Sequence, residues 1–241
     1  MTSTVSAAPA VFGQGHREPY ARALRLGGGT LTLRPDGAGP RTGSCTGTCT
    51  VEFDVLGWCA EASTLERLLL QSLDGPVLDI GCGPGRMLSA AQSLGLVALG
   101  IDTSTEAVRC ARSRGARALE QSVFSAVPQS GLWQSLLLLD GNIGIGGSIS
   151  SLLRRCRQLI APRGTLLVEV ETDDDVDAAY RAVLEDGDGN LSEPFSWARA
   201  GLPALESRAR RTGWAVVSTQ RIQGRVFCRL SPAALPLRST A

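Results

Sequence analysis

The chain has 241 residues, 43% of them apolar and 20% charged, which suits one substantial packed core and excludes both a disordered chain and two comfortable α/β domains. Its formal charge is +1, so no basic footprint for nucleic acid extends over the chain. All 24 basic residues are arginine, which removes lysine as a Schiff base or general base.

The N-terminus has no positive region ahead of its short apolar run, and no segment approaches the ~18 apolar residues of a membrane span. The expectation is a soluble, cytoplasmic protein without a membrane partner. Seven cysteines, odd in number and mostly set in apolar patterns, read as free thiols rather than a disulfide framework. Only Cys45, Cys49 and Cys59 cluster, and His16 is the single histidine that could complete a zinc site, so no metal is expected.

Residues 1–60 show little periodicity and read as an N-terminal appendage or lid, partly flexible. "EPYARALRL" suits a short helix, "TLTLRPDG" alternates like a strand entering a turn, and "RPDGAGPRTGSCTGTC" has the composition of a mobile loop. Residues 61–241 form the second unit. It opens with "STLERLLLQSL", a helix with Ser63 as N-cap and Glu66 three residues on, the spacing of a capping box.

Strands and helices then alternate. "PVLDI", "LVALGID", "ARALEQS", "LWQSLLLLD" and "GTLLVEVE" read as five strands. "RMLSAAQSLG", "STEAVRCARSRG" and "SISSLLRRCRQLI" are helices among them. Parallel neighbours need such crossovers, so the expected core is a parallel sheet with helices on both faces. After the helix "LPALESRARRTG", whose Arg208, Arg210 and Arg211 suit a solvated face, "WAVVSTQRI" and "GRVFCRLS" are joined by the tight Gln223–Gly224 turn. A turn that short permits only an antiparallel pair. The predicted fold class is α/β, doubly wound: a mostly parallel seven-stranded sheet with an antiparallel C-terminal hairpin.

Two glycine-rich stretches compete as the ligand cradle: "VLDIGCGPGR" at Val77–Arg86 and "LLLLDGNIGIGG" at Leu136–Gly147. In the first, Asp79 ends a strand, and Gly81, Gly83 and Gly85 alternate ahead of a helix N-terminus, where free N–H groups favour the anionic end of a ligand. A dinucleotide fingerprint is G-x-G-x-x-G, whereas here the third glycine arrives one residue early. Seventeen residues past Gly85, Asp102 ends the second strand, where a carboxylate can accept from two ribose hydroxyls. The spacing therefore points to a nucleoside-containing ligand with a carboxylate or amino-acid tail rather than to a pyrophosphate.

With Asp79–Gly85, Asp102 and the C-terminal hairpin in place, the chain resembles the class I (Rossmann-like) S-adenosylmethionine-dependent methyltransferases, small-molecule type, over roughly residues 75–231. The resemblance implies S-adenosyl-L-methionine as cofactor. Gly81, Cys82, Gly83 and Gly85 would surround its methionine part, Asp79 would lie near its amino group, and Asp102 would take the ribose with Thr103 beside it. Ser122 and Val123 would stand at the adenine, where the family often has an acid that this chain lacks.

The resemblance also places "LLLLDGNIGIGG" beside the transferable methyl group. Asp140, at the end of the fourth strand, is the candidate base or orienter and also faces the cofactor. The branch of the family that methylates nucleic-acid amino groups carries N/D-P-P-aromatic here. This chain has Asp-Gly-Asn-Ile, which points away from a flipped base and toward a small-molecule acceptor. Asn142, Glu171, Trp197 and Arg199 are the candidate acceptor-side residues, with Asp173, Asp174 and Asp175 read as a solvated run. A monomer or homodimer is expected. Two alternatives stand beside this reading: a cofactor-binding module without methylation activity of its own, and an aminopropyl transferase using a decarboxylated relative of the same cofactor.

Overall fold

The computed structural model describes residue 12 and residues 18–37, 42–44 and 50–233. Of the positions weighed for metal, His16, Cys45 and Cys49 lie outside these residues, as does most of the loop after Gly37. Among the described residues no three His, Cys, Asp or Glu side chains stand together so that they could hold a metal ion.

Helix α1 (Pro19–Leu26) begins where Glu18 accepts the Tyr20 N–H at 3.1 Å and ends at Gly27, whose φ of 69° is open to glycine without strain. Strands β1 (Leu31–Pro35), β2 (Thr42–Ser44) and β3 (Val51–Phe53) follow, then the short helix α2 (Val55–Cys59) capped by Asp54. The capping box expected at Ser63 opens α3 (Thr64–Gln71): Glu66 N–H donates to Ser63 Oγ at 3.3 Å, and Ser63 N–H donates to Glu66 Oε2 at 2.8 Å.

The alternation read from the sequence is then present: β4 (Val77–Ile80), α4 (Arg86–Ser93), β5 (Ala98–Asp102), α5 (Thr105–Ser113), β6 (Ala118–Glu120) and β7 (Trp133–Leu138). A 3-10 segment at Asn142–Gly147 replaces a full helix before α6 (Ile149–Leu159) and β8 (Ile160–Val170). β8 starts four residues ahead of the predicted Gly164, because Ile160 already pairs with Trp133 before the register shifts. Two strands not read from the sequence come next, β9 (Asp177–Asp186) and β10 (Phe195–Ala200). The chain closes with α7 (Leu202–Arg211), β11 (Trp214–Ile222) and β12 (Arg225–Pro232).

The main sheet has the order β6-β5-β4-β7-β8-β12-β11, with β12 antiparallel to both neighbours and the other pairings parallel. Its central strands β4 and β7 are almost wholly buried because both of their faces are covered. Leu136 and Leu138 pack with Leu152, Leu153 and Trp214 on one face, while Leu137 and Leu139 pack with Leu70, Leu88 and Phe227 on the other. Each such buried leucine contributes ~1.5–3 kcal/mol. The chain leaves β4 toward β5 on one side and returns as β7 on the other, so the carboxyl ends of β4 and β7 face one crevice, the usual ligand site of an open α/β sheet.

A second, antiparallel sheet has the order β10-β9-β1-β3, with β2 also on β9. Leu31 pairs with Asp186 and Leu33 with Leu184, so strands from either side of residue 60 share it. Leu31, Leu33, Ala182, Leu184, Phe195 and Trp197 form its core with Tyr20 and Leu24 of α1. Arg22 bonds Asp186 at 2.9 Å and Arg181 bonds Asp36 at 3.2 Å, tying the two chain segments further.

Candidate functional site

Both glycine-rich stretches border one cavity of about 310 Å³ at the β4–β7 crevice. In the first, Gly81 and Gly83 have φ of 73° and 53°, a region that side chains occupy only with strain. A Cβ on Gly81 would stand 2.8 Å from the Asn142 amide, and one on Gly83 would stand 3.3 Å from the Tyr20 hydroxyl. Gly85 behaves differently from the expectation. It does not border the cavity; a Cβ there would meet Ala111 Cβ at 2.8 Å, so its absence of a side chain lets α4 pack on α5. Cys82 is buried and borders the cavity, and burial raises its thiol pKa well above the usual range.

Asp79 is 3% exposed, borders the cavity, and has no side-chain hydrogen bond among the described residues. Burial, with the charge of Asp140 nearby, pushes its pKa up to about 7 although Arg86 opposes the rise. Asp102 is also buried but well bonded: Oδ1 accepts the Ser104 N–H at 2.8 Å and Oδ2 the Gly83 N–H at 2.9 Å. Burial raises its pKa to about 6 against those bonds. The same carboxylate thus starts α5 and braces the glycine turn. Beside it, Thr103 Oγ1 donates to the Phe12 carbonyl at 2.7 Å. Ser122 and Val123 border the cavity, with Ser122 Oγ accepting the Phe124 N–H at 3.2 Å.

The second stretch is the floor beside this turn. Asn142 Nδ2 donates to the Ile80 carbonyl at 3.0 Å and the Gly81 carbonyl at 2.9 Å, strapping the post-β7 segment onto the glycine turn. Its amide nitrogen is therefore committed to the protein rather than to an acceptor. Asp140, at φ 53°, bonds Arg86 at 2.6 Å and Arg225 at 3.1 Å, and its N–H donates to Glu169 at 2.8 Å. Arg225 also takes Glu169 through two 2.7 Å bonds and Glu66 at 2.9 Å, and Arg86 pairs with Glu66 as well. Burial raises the pKa of Asp140 while the two guanidiniums limit the rise. For Glu66, burial works upward, but its bonds with Arg225 and Ser63 win and hold its pKa below the ordinary value. A carboxylate gripped by two guanidiniums is a positioned charge.

The roof comes from the second sheet and the segments before it. Phe12, Tyr20, Phe53, Trp58 and Trp197 border the cavity, with ring centroids 5.0 Å apart for Phe12–Tyr20 and Phe53–Trp58 and 5.3 Å apart for Phe12–Trp197. Tyr20 is held protonated, because burial and then the charge of Asp102 push its pKa well above the usual range. Trp197, a predicted acceptor-side residue, is among them. Glu171 and Arg199 are not: they bond each other at 2.7 Å and border a second cavity of about 240 Å³.

Arg86, Glu66, Glu169, Arg225 and the roof residues other than Trp197 are missing from the sequence-derived set. One signal for the roof was present: of the chain's four Trp, two Tyr and five Phe, Phe12, Tyr20, Phe53 and Trp58 all fall in the first sixty residues. The ion network left no such mark, since its members are far apart in sequence.

Residues 78–130 match the model of the methyltransferase domain, which bears out the resemblance carried by Asp79–Gly85 and Asp102. No curated protein matches the chain in sequence. Among solved structures, a SAM-dependent methyltransferase from Bacteroides fragilis in complex with S-adenosyl-L-homocysteine is similar at a TM-score of 0.72 and 20% identity, over 94% of this chain and 99% of that one. The Burkholderia thailandensis 1,6-didemethyltoxoflavin-N1-methyltransferase, with 1,6-didemethyltoxoflavin and S-adenosylhomocysteine bound, is similar at 0.52 and 17% identity over 71% and 78% of the two chains. The CcbJ methyltransferase from Streptomyces caelestis is similar at 0.56 and 15% identity over 74% and 93%. The shared fold is the mainly parallel sheet with its antiparallel C-terminal hairpin.

Proposed function

We propose that the chain is an S-adenosylmethionine-dependent methyltransferase that passes its methyl group to an O, N or C atom of a small molecule. The observation that carries this reading is Asp79: a buried carboxylate without a partner, facing a cavity whose turn leaves no room for side chains. A buried acid in that state calls for a cation, and the ammonium of the cofactor's methionine part is one.

The residues present fit the rest of that molecule. Asp102 offers its remaining lone pairs to the ribose hydroxyls, the Gly81–Gly83 backbone lies against the methionine part with Cys82, and Ser122 and Val123 flank the base, with Thr103 holding residue 12 above. When bound, the cofactor supplies a methyl group on a positively charged sulfur, open to in-line displacement. What the chain itself provides is alignment and partial exclusion of water: the aromatic roof covers part of the cavity, and Arg86 and Arg225 fix Asp140 as an orienting charge of the floor. No covalent enzyme intermediate is required.

A small acceptor is supported by the aromatic roof over the cavity and by Asp140–Ile143, which lacks the proline and aromatic ring used on flipped bases. The Burkholderia structure holds a small acceptor together with its cofactor product. The test is calorimetry with S-adenosylmethionine and S-adenosylhomocysteine, expecting both to bind and Asp102→Ala to weaken each at least tenfold. Binding of neither, with Asp102→Ala changing nothing, refutes the reading. Selective binding of decarboxylated S-adenosylmethionine would favour an aminopropyl transferase. Methylated products detected by mass spectrometry in a metabolite extract separate an enzyme from a binding module.

A further inference from the structure

The two cavities share a wall. Phe53, Trp58, Trp197 and Asp140 border both, so the cofactor cavity and the second one adjoin at three rings and one carboxylate. The second cavity is lined by five carboxylates, Glu52, Asp54, Asp140, Glu169 and Glu171, and by a single guanidinium, Arg199. Even with Arg86 and Arg225 counted for their bonds to Asp140 and Glu169, carboxylates outnumber guanidiniums by five to three. Glu52 is exposed and has no ion pair among the described residues. In a chain of net charge +1 this is a strong local excess of negative charge, focused in a concave space that opens on aromatic faces.

We propose that the methyl acceptor is an amine on an apolar body, which enters through the acid-lined cavity as its ammonium and presents its nitrogen at the Phe53–Trp58–Trp197 wall. This rests on the methyltransferase reading and narrows its acceptor to one class. Carboxylates draw the ammonium in and repel anionic molecules, and the rings accept a cation on their faces without hydrating it. At the wall the ammonium gives a proton to a carboxylate of the second cavity and on to water. The freed nitrogen lone pair forms the N–C bond to the methyl group as the C–S bond breaks, and that electron pair returns to sulfur. Sulfur ends as a neutral thioether, and the methylated amine carries the positive charge, still against the rings.

The experiment loads the full chain with S-adenosylhomocysteine and titrates three probes of one shape and different charge: 2-phenylethylamine, 2-phenylethanol and 3-phenylpropionate. Calorimetry and tryptophan fluorescence, through Trp58 and Trp197, report binding. The amine should bind at least tenfold tighter than the propionate, with the alcohol between them. The double variant Glu52→Gln, Glu171→Gln should narrow that gap at least threefold while the alcohol is unchanged, and its fold is checked by retained S-adenosylhomocysteine binding. Should the double variant fail that check, Glu52→Gln alone, at an exposed strand position, is expected to narrow the gap in the same direction. Equal affinities, a preference for the propionate, or no binding of any probe to the loaded protein overturns the amine assignment and leaves the methyltransferase reading standing. Failure of S-adenosylhomocysteine itself to bind removes both.

Discussion

Because Asp79 is buried without a partner, its charge is unstable in the empty site and stable once an ammonium arrives. Cofactor affinity should therefore depend on pH in a defined direction. With a pKa of about 7 before binding, Asp79 is ionised to ~10% at pH 6 and ~50% at pH 7, which makes binding ~fivefold tighter at pH 7, about 1 kcal/mol. Asp102, raised to about 6, contributes a further ~twofold over the same interval if the ribose prefers its ionised form. The window lies below the ~7.7–8.0 of an α-amino group, so the ligand's own ammonium stays charged. Calorimetric titration of S-adenosylhomocysteine at pH 6.0, 6.5 and 7.0, in buffers of different ionisation enthalpy, measures both quantities. Affinity should rise fivefold to tenfold across the series, on the order of 0.8 proton should be released near pH 6.5, and Asp79→Asn should abolish most of both effects. Affinity that is flat or falls between pH 6 and 7, or binding without proton release, refutes the placement of the ammonium on Asp79.

The same burial acts on folding with the opposite sign. Glu18, Asp79 and Asp102 have folded pKa values of about 7, 7 and 6 against ordinary values of 4.5, 3.8 and 3.8, so between pH 4 and 7 the folded chain holds protons that the unfolded chain has released. The melting temperature of the unliganded protein should accordingly be higher at pH 5.5 than at pH 7.5, and a thermal scan showing the reverse counts against these buried carboxyls. Gly85→Ala should lower stability by ~1–3 kcal/mol through the clash with Ala111 while the folded protein keeps its S-adenosylhomocysteine affinity. Gly83→Ala, at a cavity-lining position, should weaken the ligand; calorimetry on both variants separates packing glycine from cradle glycine. Arg225→Met leaves Glu66, Glu169 and Asp140 short of a partner and should cost about 3 kcal/mol in urea unfolding, with a smaller loss for Glu169→Gln.

Much of this protein is determined by order along the chain. Strand β4, the Gly81–Gly83 turn, Asp102 and the capping box at Ser63 each depend on residues within a few positions of one another: left-handed φ values demand glycine, and a parallel strand covered on both faces must be apolar throughout. Those local requirements leave periodicities and spacings that can be read, and they were enough to single out the glycine turn and the acids at the ends of β4 and β5 that border the first cavity. What the sequence left blank was decided by tertiary contacts. β9 became a strand because β1 lies beside it, with Leu31 paired to Asp186 across 155 positions, and β10 because it pairs with β9 in turn; short runs such as "AYRAVL" give no signal until that partner is present. Glu171 and Arg199 moved to the second cavity and Gly85 to a helix contact for the same reason. Asp140, legible as an acid at a strand end, acquired its character only from Arg86 and Arg225, because burial and charge neutralisation are properties of a neighbourhood in space, which no spacing along the chain encodes.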